Sequence, residues 1–132
     1  MDLSEEEMRR GIRDSNRMHT MQVLVRERGL FFSNHNPAVL VLTDKGLFYG
    51  GSNDWNDRYL HIPFSKIIEA GLYGRSFTRS VRLVYEAEAR EKKVFFTPFT
   101  GEPAAPQLDV EGLEKLMDLI REIAGDMGVR VE

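Results

Sequence analysis

The chain has 132 residues, with 18 Lys and Arg against 21 Asp and Glu, a net charge of −3, 42% hydrophobic residues and no cysteine. This length and balance suit one folded domain whose core needs no staple. The missing thiols exclude disulfides, thiolate zinc sites and cysteine nucleophiles, and the acidic balance lacks the basic footprint of a nucleic-acid binder.

The opening run Met1-Asp2-Leu3-Ser4-Glu5-Glu6-Glu7 is acidic where a secretory leader is basic. No apolar stretch approaches the roughly 18 residues that span a bilayer. The expected location is therefore cytoplasmic. Ser4 and Glu7 form a capping-box pattern, and Met8 and Ile12 share a helical face, so a short helix is predicted that ends by about Arg17.

From Met21 the apolar period shortens to two. Met21–Arg28 reads as a strand, and Ser33-Asn34-His35-Asn36-Pro37 as a turn-rich loop. Ala38–Leu42 is a wholly apolar strand, the pattern of a segment covered on both faces. Asp44-Lys45-Gly46 then makes a hairpin turn into Leu47-Phe48-Tyr49, with Gly46 free to adopt positive φ. Gly50–Asp57 is a polar loop holding Trp55. Tyr59–Ile62 is a strand that Pro63 stops or places at an edge.

Ile67–Tyr73 is the next strand. In the one after it, Val81, Leu83, Tyr85 and Ala87 alternate with Arg82, Val84, Glu86 and Glu88, marking a half-buried element. A charged, glycine-free turn at Ala89-Arg90-Glu91 leads into Lys93–Thr97 and leaves the register of that hairpin open. After the Pro-rich connector Thr100–Pro106, Asp109 caps a helix running to about Ala124, with Gly125 as its stop. Val110, Leu113, Leu116, Ile120 and Ile123 form its apolar stripe, widened by Met117 and Leu119. That stripe requires a sheet to cover it.

Three stretches carry a resemblance: Val39–Tyr49 with its Thr43-Asp44-Lys45-Gly46 turn, His61-Ile62-Pro63-Phe64-Ser65-Lys66-Ile67, and the terminal helix. Together they resemble the GRAM and bacterial branch of the pleckstrin-homology-like superfamily, over residues 21–124. The resemblance implies a mainly β fold with α: a seven-stranded antiparallel half-open barrel in two roughly orthogonal sheets, closed by the C-terminal α-helix. Residues 1–20 would be an N-terminal helical extension, 21–126 the domain and 127–132 a tail. It further implies a non-enzymatic binding or scaffolding module that recognises protein, with peripheral binding to anionic lipid as the alternative. The dense basic pattern that phosphoinositide-binding members carry across the first hairpin is not reproduced: Arg26 and Arg28 are followed by a loop, Ser33–Pro37, without lysine or arginine.

No catalytic or cofactor pattern is present. His19, His35 and His61 are scattered and read as surface or turn residues, no serine sits in a nucleophile elbow, and the glycines form no phosphate-binding loop. The acidic run Asn53–Asp57 fails the calcium-loop pattern, because Tyr59 and Ser65 stand where glycine and a bidentate carboxylate belong. Two candidate sites follow. Trp55 is either folded back on the core or, with Tyr59, a protein-binding hot spot. Lys66, Arg75, Arg79 and Arg82 make the segment 66–82 net +3 after Glu69, which marks either a solvated edge or an anion- and lipid-binding patch. The arginines from Arg9 to Arg28 add a second basic region. A second copy pairing through an edge near Pro63 or through the N-terminal segment would give a homodimer.

Overall fold

A computed structural model describes residues 2–27, 36–51, 59–74, 79–102, 105–125 and 130–131. Its elements are β1 (Asp2–Leu3), α1 (Glu5–Arg13), β2 (Arg17–Glu27), β3 (Asn36–Thr43), β4 (Gly46–Gly51) and β5 (Tyr59–Pro63), then a 3-10 turn at Phe64–Lys66. They continue with β6 (Ile67–Tyr73), β7 (Ser80–Ala87), β8 (Arg90–Thr100), β9 (Gln107–Leu108), α2 (Val110–Gly125) and β10 (Arg130–Val131). Seven of the strands, β2 to β8, have five residues or more.

The strands pair in one continuous path, β1-β5-β4-β3-β2-β8-β7-β6-β10, with β9 added to β8. The expected barrel is therefore hydrogen-bonded as one continuous sheet. Every pairing is antiparallel except that of β10 with β6. In sequence β5 and β6 are separated by Phe64–Lys66 alone, yet they stand near opposite ends of that path. So short a link cannot reach across a flat sheet of seven strands, since strands lie about 4.8 Å apart. The sheet must curl until its ends approach, and the result is a half-open barrel. Phe64 is fully buried in the core at this seam.

The inner faces of the strands and the stripe of α2 form one core. Val23, Leu40, Leu42, Leu47, Ile62, Leu83, Val94 and Phe96 meet Leu113, Leu116, Met117 and Ile120 of the helix. Asp109 starts α2 as expected, its Oδ1 accepting the Gly112 amide at 3.0 Å. Val110, placed by periodicity on the buried stripe, is instead 51% exposed, because it occupies the first helical turn beyond the sheet's cover.

A second, smaller cluster lies on the outer face. Met8 and Ile12 of α1 pack on Val41 and Phe48, with Tyr59 alongside. This explains the wholly apolar β3: Val41 faces α1, whereas Leu40 and Leu42 face the core. Helix α1 ends at Arg13, four residues before the latest expected end. The polar run after it is drawn into contacts elsewhere, since the Asn16 amide donates to Asp44 Oδ1 at 2.9 Å while the Asp44 amide donates to the Asn16 carbonyl at 3.1 Å. Gly11 lets the helix sit close, for a Cβ there would lie 2.8 Å from Phe48 Cε1. On Phe48 the His61 ring stacks in parallel, with centroids 4.1 Å apart.

Turn chemistry follows the sequence at one hairpin and departs from it at another. Gly46 takes φ 146°, and Thr43 Oγ1 both donates to the Gly46 carbonyl and accepts the Lys45 amide. At the β7–β8 turn, Glu88 and Ala89 both occupy left-handed backbone, φ 55° and 59°. Pairing of Ala87 with Arg90 leaves those two residues as the whole loop, which demands positive φ at both.

Three expectations test this account. Phe64→Ala should cost about 3–5 kcal/mol in urea unfolding, because it empties the seam; a loss no larger than at a surface site would contradict that role. Ala89→Gly should raise stability by about 1 kcal/mol through relief of left-handed strain, and unchanged stability would mean the turn is not strained. Burial pushes the His61 imidazole below its ordinary value of 6.5, against an upward pull from the Lys45 backbone. The unfolded chain therefore takes up this proton first, so stability is full above pH 6.5 and declines as pH falls below it. His61→Phe, which keeps the stack on Phe48, should reduce the slope of melting temperature against pH between pH 7 and the onset of carboxylate titration at about pH 5, leaving the part that His19 contributes. An unchanged slope would assign the effect elsewhere.

Candidate functional site

The outward faces of β2, β8, β7 and β6 hold the main concentration of aromatic and cationic groups. Register makes it: Arg26 of β2 pairs with Phe95 of β8, Phe95 with Arg82 of β7, and Arg82 with Gly71 of β6. One row across four strands thus reads Arg26, Phe95, Arg82, Gly71, with all side chains on the face away from the core. Gly71 leaves room at the end of the row. Tyr73, two residues on, leans into it and meets Phe95 with ring centroids 5.1 Å apart.

The two arginines differ in state. Arg82 donates from Nη2 to Glu69 Oε1 at 3.1 Å, both side chains half-buried, and its guanidinium lies 5.8 Å from the Tyr73 ring centroid. Arg26 lies over the Phe95 ring at 4.3 Å, and no carboxylate pairs with it among the described residues. A guanidinium held over an aromatic face is positioned before any ligand arrives and can still present N–H groups to oxygen acceptors. The row therefore holds one cation with no acid paired to it among the described residues, a second cation balanced by Glu69, and the exposed ring of Tyr73, with Phe95 buried beneath as their platform.

The sequence candidates distribute as follows. Arg82 belongs to this row, and Arg79 is exposed just before β7 begins. Arg75 lies outside the described residues, as does Trp55. Lys66 is exposed on the 3-10 turn and does not join the arginines. It shares an open cleft of about 190 Å³ with His61, Pro63, Tyr85 and the acids Glu86 and Glu88. Tyr59 is half-buried beside Met8, Val41 and Phe48, and a Cβ on Gly50 would collide with its ring. Arg9, Arg10 and Arg13 are exposed on α1, with Arg10 facing Glu6 at 3.6 Å.

Sequence reasoning passed over Arg26 as a site residue and missed Phe95 and Tyr73 altogether. Their signal was weak, since they are separated by up to 69 positions and united only by register. His61 is also not a free surface residue: it stacks on Phe48, and its buried Nε2 lacks a hydrogen bond of good geometry among the described residues. His19 is held below its ordinary value by burial, then by Lys115, against the pull of Asp109. Among the described residues no three His, Asp or Glu side chains are grouped to hold a metal ion, and no helix there is long and apolar enough to cross a membrane.

No family model and no curated protein matches the chain. Among solved structures it is similar to the hSac2 domain from human phosphoinositide phosphatase Sac2, with a TM-score of 0.66 and 12% identity, over 97% of this chain and 82% of that one. This likeness corrects the resemblance to the pleckstrin-homology-like superfamily. The motifs behind that reading, the Thr43–Gly46 turn and the Ile62-Pro63-Phe64 step, are turn and core features that any curled antiparallel sheet with one helix can use. The half-open barrel with its C-terminal and short N-terminal helices stands, and its fold is that of the hSac2 domain.

Proposed function

We propose that the domain is a non-enzymatic module that docks on anionic membrane surfaces through the arginine–aromatic face of β2, β8, β7 and β6. The observation that carries this reading is Arg26, poised over Phe95 at 4.3 Å with no acid paired to it among the described residues. Arginine forks suit phosphate oxygens, and each basic residue at an anionic surface contributes about 1 kcal/mol. The fold's likeness to a domain of a phosphoinositide phosphatase supports a lipid-related role over the protein-recognising one that the sequence first favoured. So does the position of Tyr59, half-buried by its own chain.

The acidic balance of the whole chain, −3, argues against broad electrostatic adsorption and for one oriented face. Co-sedimentation should show no binding to phosphatidylcholine vesicles. Binding should appear at low salt when phosphatidylserine or phosphatidylinositol bisphosphate is added, and fall as salt rises. Arg26→Ala should weaken it about five-fold. Absence of binding to either anionic mixture at low salt would end the membrane reading, and mutation-sensitive turnover of a phosphorylated lipid would end the non-enzymatic one.

A further inference from the structure

Five large hydrophobic residues are exposed among the described residues, and three of them lie on β6: Ile68 at 45%, Leu72 at 42% and Tyr73 at 49%. An edge strand bearing such side chains is a liability that folded proteins usually blunt with charge, proline or a covering segment. Among the described residues β10 pairs with β6 only at Glu69 and Ala70, and Leu72 and Tyr73 beyond these pairs are exposed. At the opposite edge, by contrast, β5 ends in Pro63 and pairs with β1.

The geometry of that exposed end restricts what could occupy it. Leu72 stands opposite Val81, a core position, whereas Tyr73 stands opposite Ser80 on the outer face beside Phe95. Successive strand residues point to opposite sides, so the two side chains leave the strand end in opposite directions. A partner docked on one face of the sheet would cover only one of them. A medium that surrounds the strand end would cover both. The nearby charges are cationic: Arg79 is exposed one residue before β7, Arg26 and Arg82 flank Phe95, and Glu69 is taken up by Arg82.

We infer that the C-terminal end of β6 is a membrane-insertion tip, with Leu72 and Tyr73 entering the interfacial zone of an anionic bilayer and Arg26, Arg79 and Arg82 meeting phosphates around them. The inference rests on the docking function proposed above and adds the depth and orientation of binding. A tyrosine suits this place, since its ring can lie among acyl chains while its hydroxyl stays wet. Apolar insertion is insensitive to salt whereas arginine–phosphate attraction is screened, so the two contributions separate experimentally.

Because the chain has no cysteine, Leu72→Cys provides a single labelling site, and Val110→Cys, at an equally exposed apolar position on α2, provides the control. Each variant, carrying an environment-sensitive fluorophore, is mixed with phosphatidylcholine–phosphatidylserine vesicles with and without brominated acyl chains. A blue shift with bromine quenching at position 72 and neither at position 110 is the expected result. In unlabelled protein, the uncharged variant Leu72→Ser should lose roughly ten-fold in affinity at both low and high salt, whereas the loss from Arg26→Ala should fade as salt rises. Binding without a blue shift at position 72 would overturn the insertion tip and leave surface docking intact. Equal shifts at positions 72 and 110 would also overturn it. No binding of the unlabelled native chain would remove the docking function itself.

Discussion

Three residues between Pro63 and Ile67 join strands that stand near opposite ends of the sheet, and this short tether sets the shape of everything else. It forces the sheet to curl and gives Phe64 a closed seam to fill. It also creates a concave wall deep enough to take Leu113, Leu116, Met117 and Ile120 of α2. A flatter sheet would leave that helical stripe in water. The same curvature turns the outward faces of β2, β8, β7 and β6 into a convex surface, on which Phe95 is buried, Arg26 and Arg82 are half-buried and Tyr73 is exposed.

That layering of guanidinium on ring gives the arginine row its chemistry. Arginine on an aromatic ring loses less rotamer freedom on meeting an oxygen ligand, because the ring already restrains the guanidinium. The row is also asymmetric. Glu69 neutralises Arg82 at 3.1 Å, while Arg26 is left without an acid among the described residues, so attraction for an anion concentrates at the β2 end. The remaining β6 end is apolar, at Leu72 and Tyr73. Charge at one end and grease at the other suit a boundary between water and lipid better than a uniformly polar partner. Among the described residues the two sheet edges are covered unequally: β1 lies on β5, which ends in Pro63, whereas β10 pairs with part of β6.

Much of the fold was legible in local sequence. The Thr43–Gly46 turn, the Asp109 cap and most of the stripe of α2 report on contacts within a few residues, where period and capping chemistry act directly, whereas Val84, on the expected solvated side of β7, is buried. The β7–β8 turn was not legible, because Glu88 and Ala89 adopt a conformation that their side chains disfavour and that the rest of the hairpin imposes. Its register also sets Glu86 opposite Glu91, a like-charge pair that local preference would avoid. The family resemblance misled for a related reason. Short turn and core motifs answer to backbone geometry, which unrelated chains share.

The sequence by itself determined the types of the two helices and of the seven longer strands, the Thr43–Gly46 hairpin, most of the apolar stripe of α2, and the absence of thiol chemistry. Those properties depend on residue composition and on spacings of two to four positions. Only the tertiary structure decided that α1 lies on Val41 and Phe48, that Lys66 sits among acids, and that Arg26, Tyr73, Arg82 and Phe95 form one surface. The physical reason is that strand order and register bring together residues far apart in the chain, and neither quantity is encoded in any local pattern.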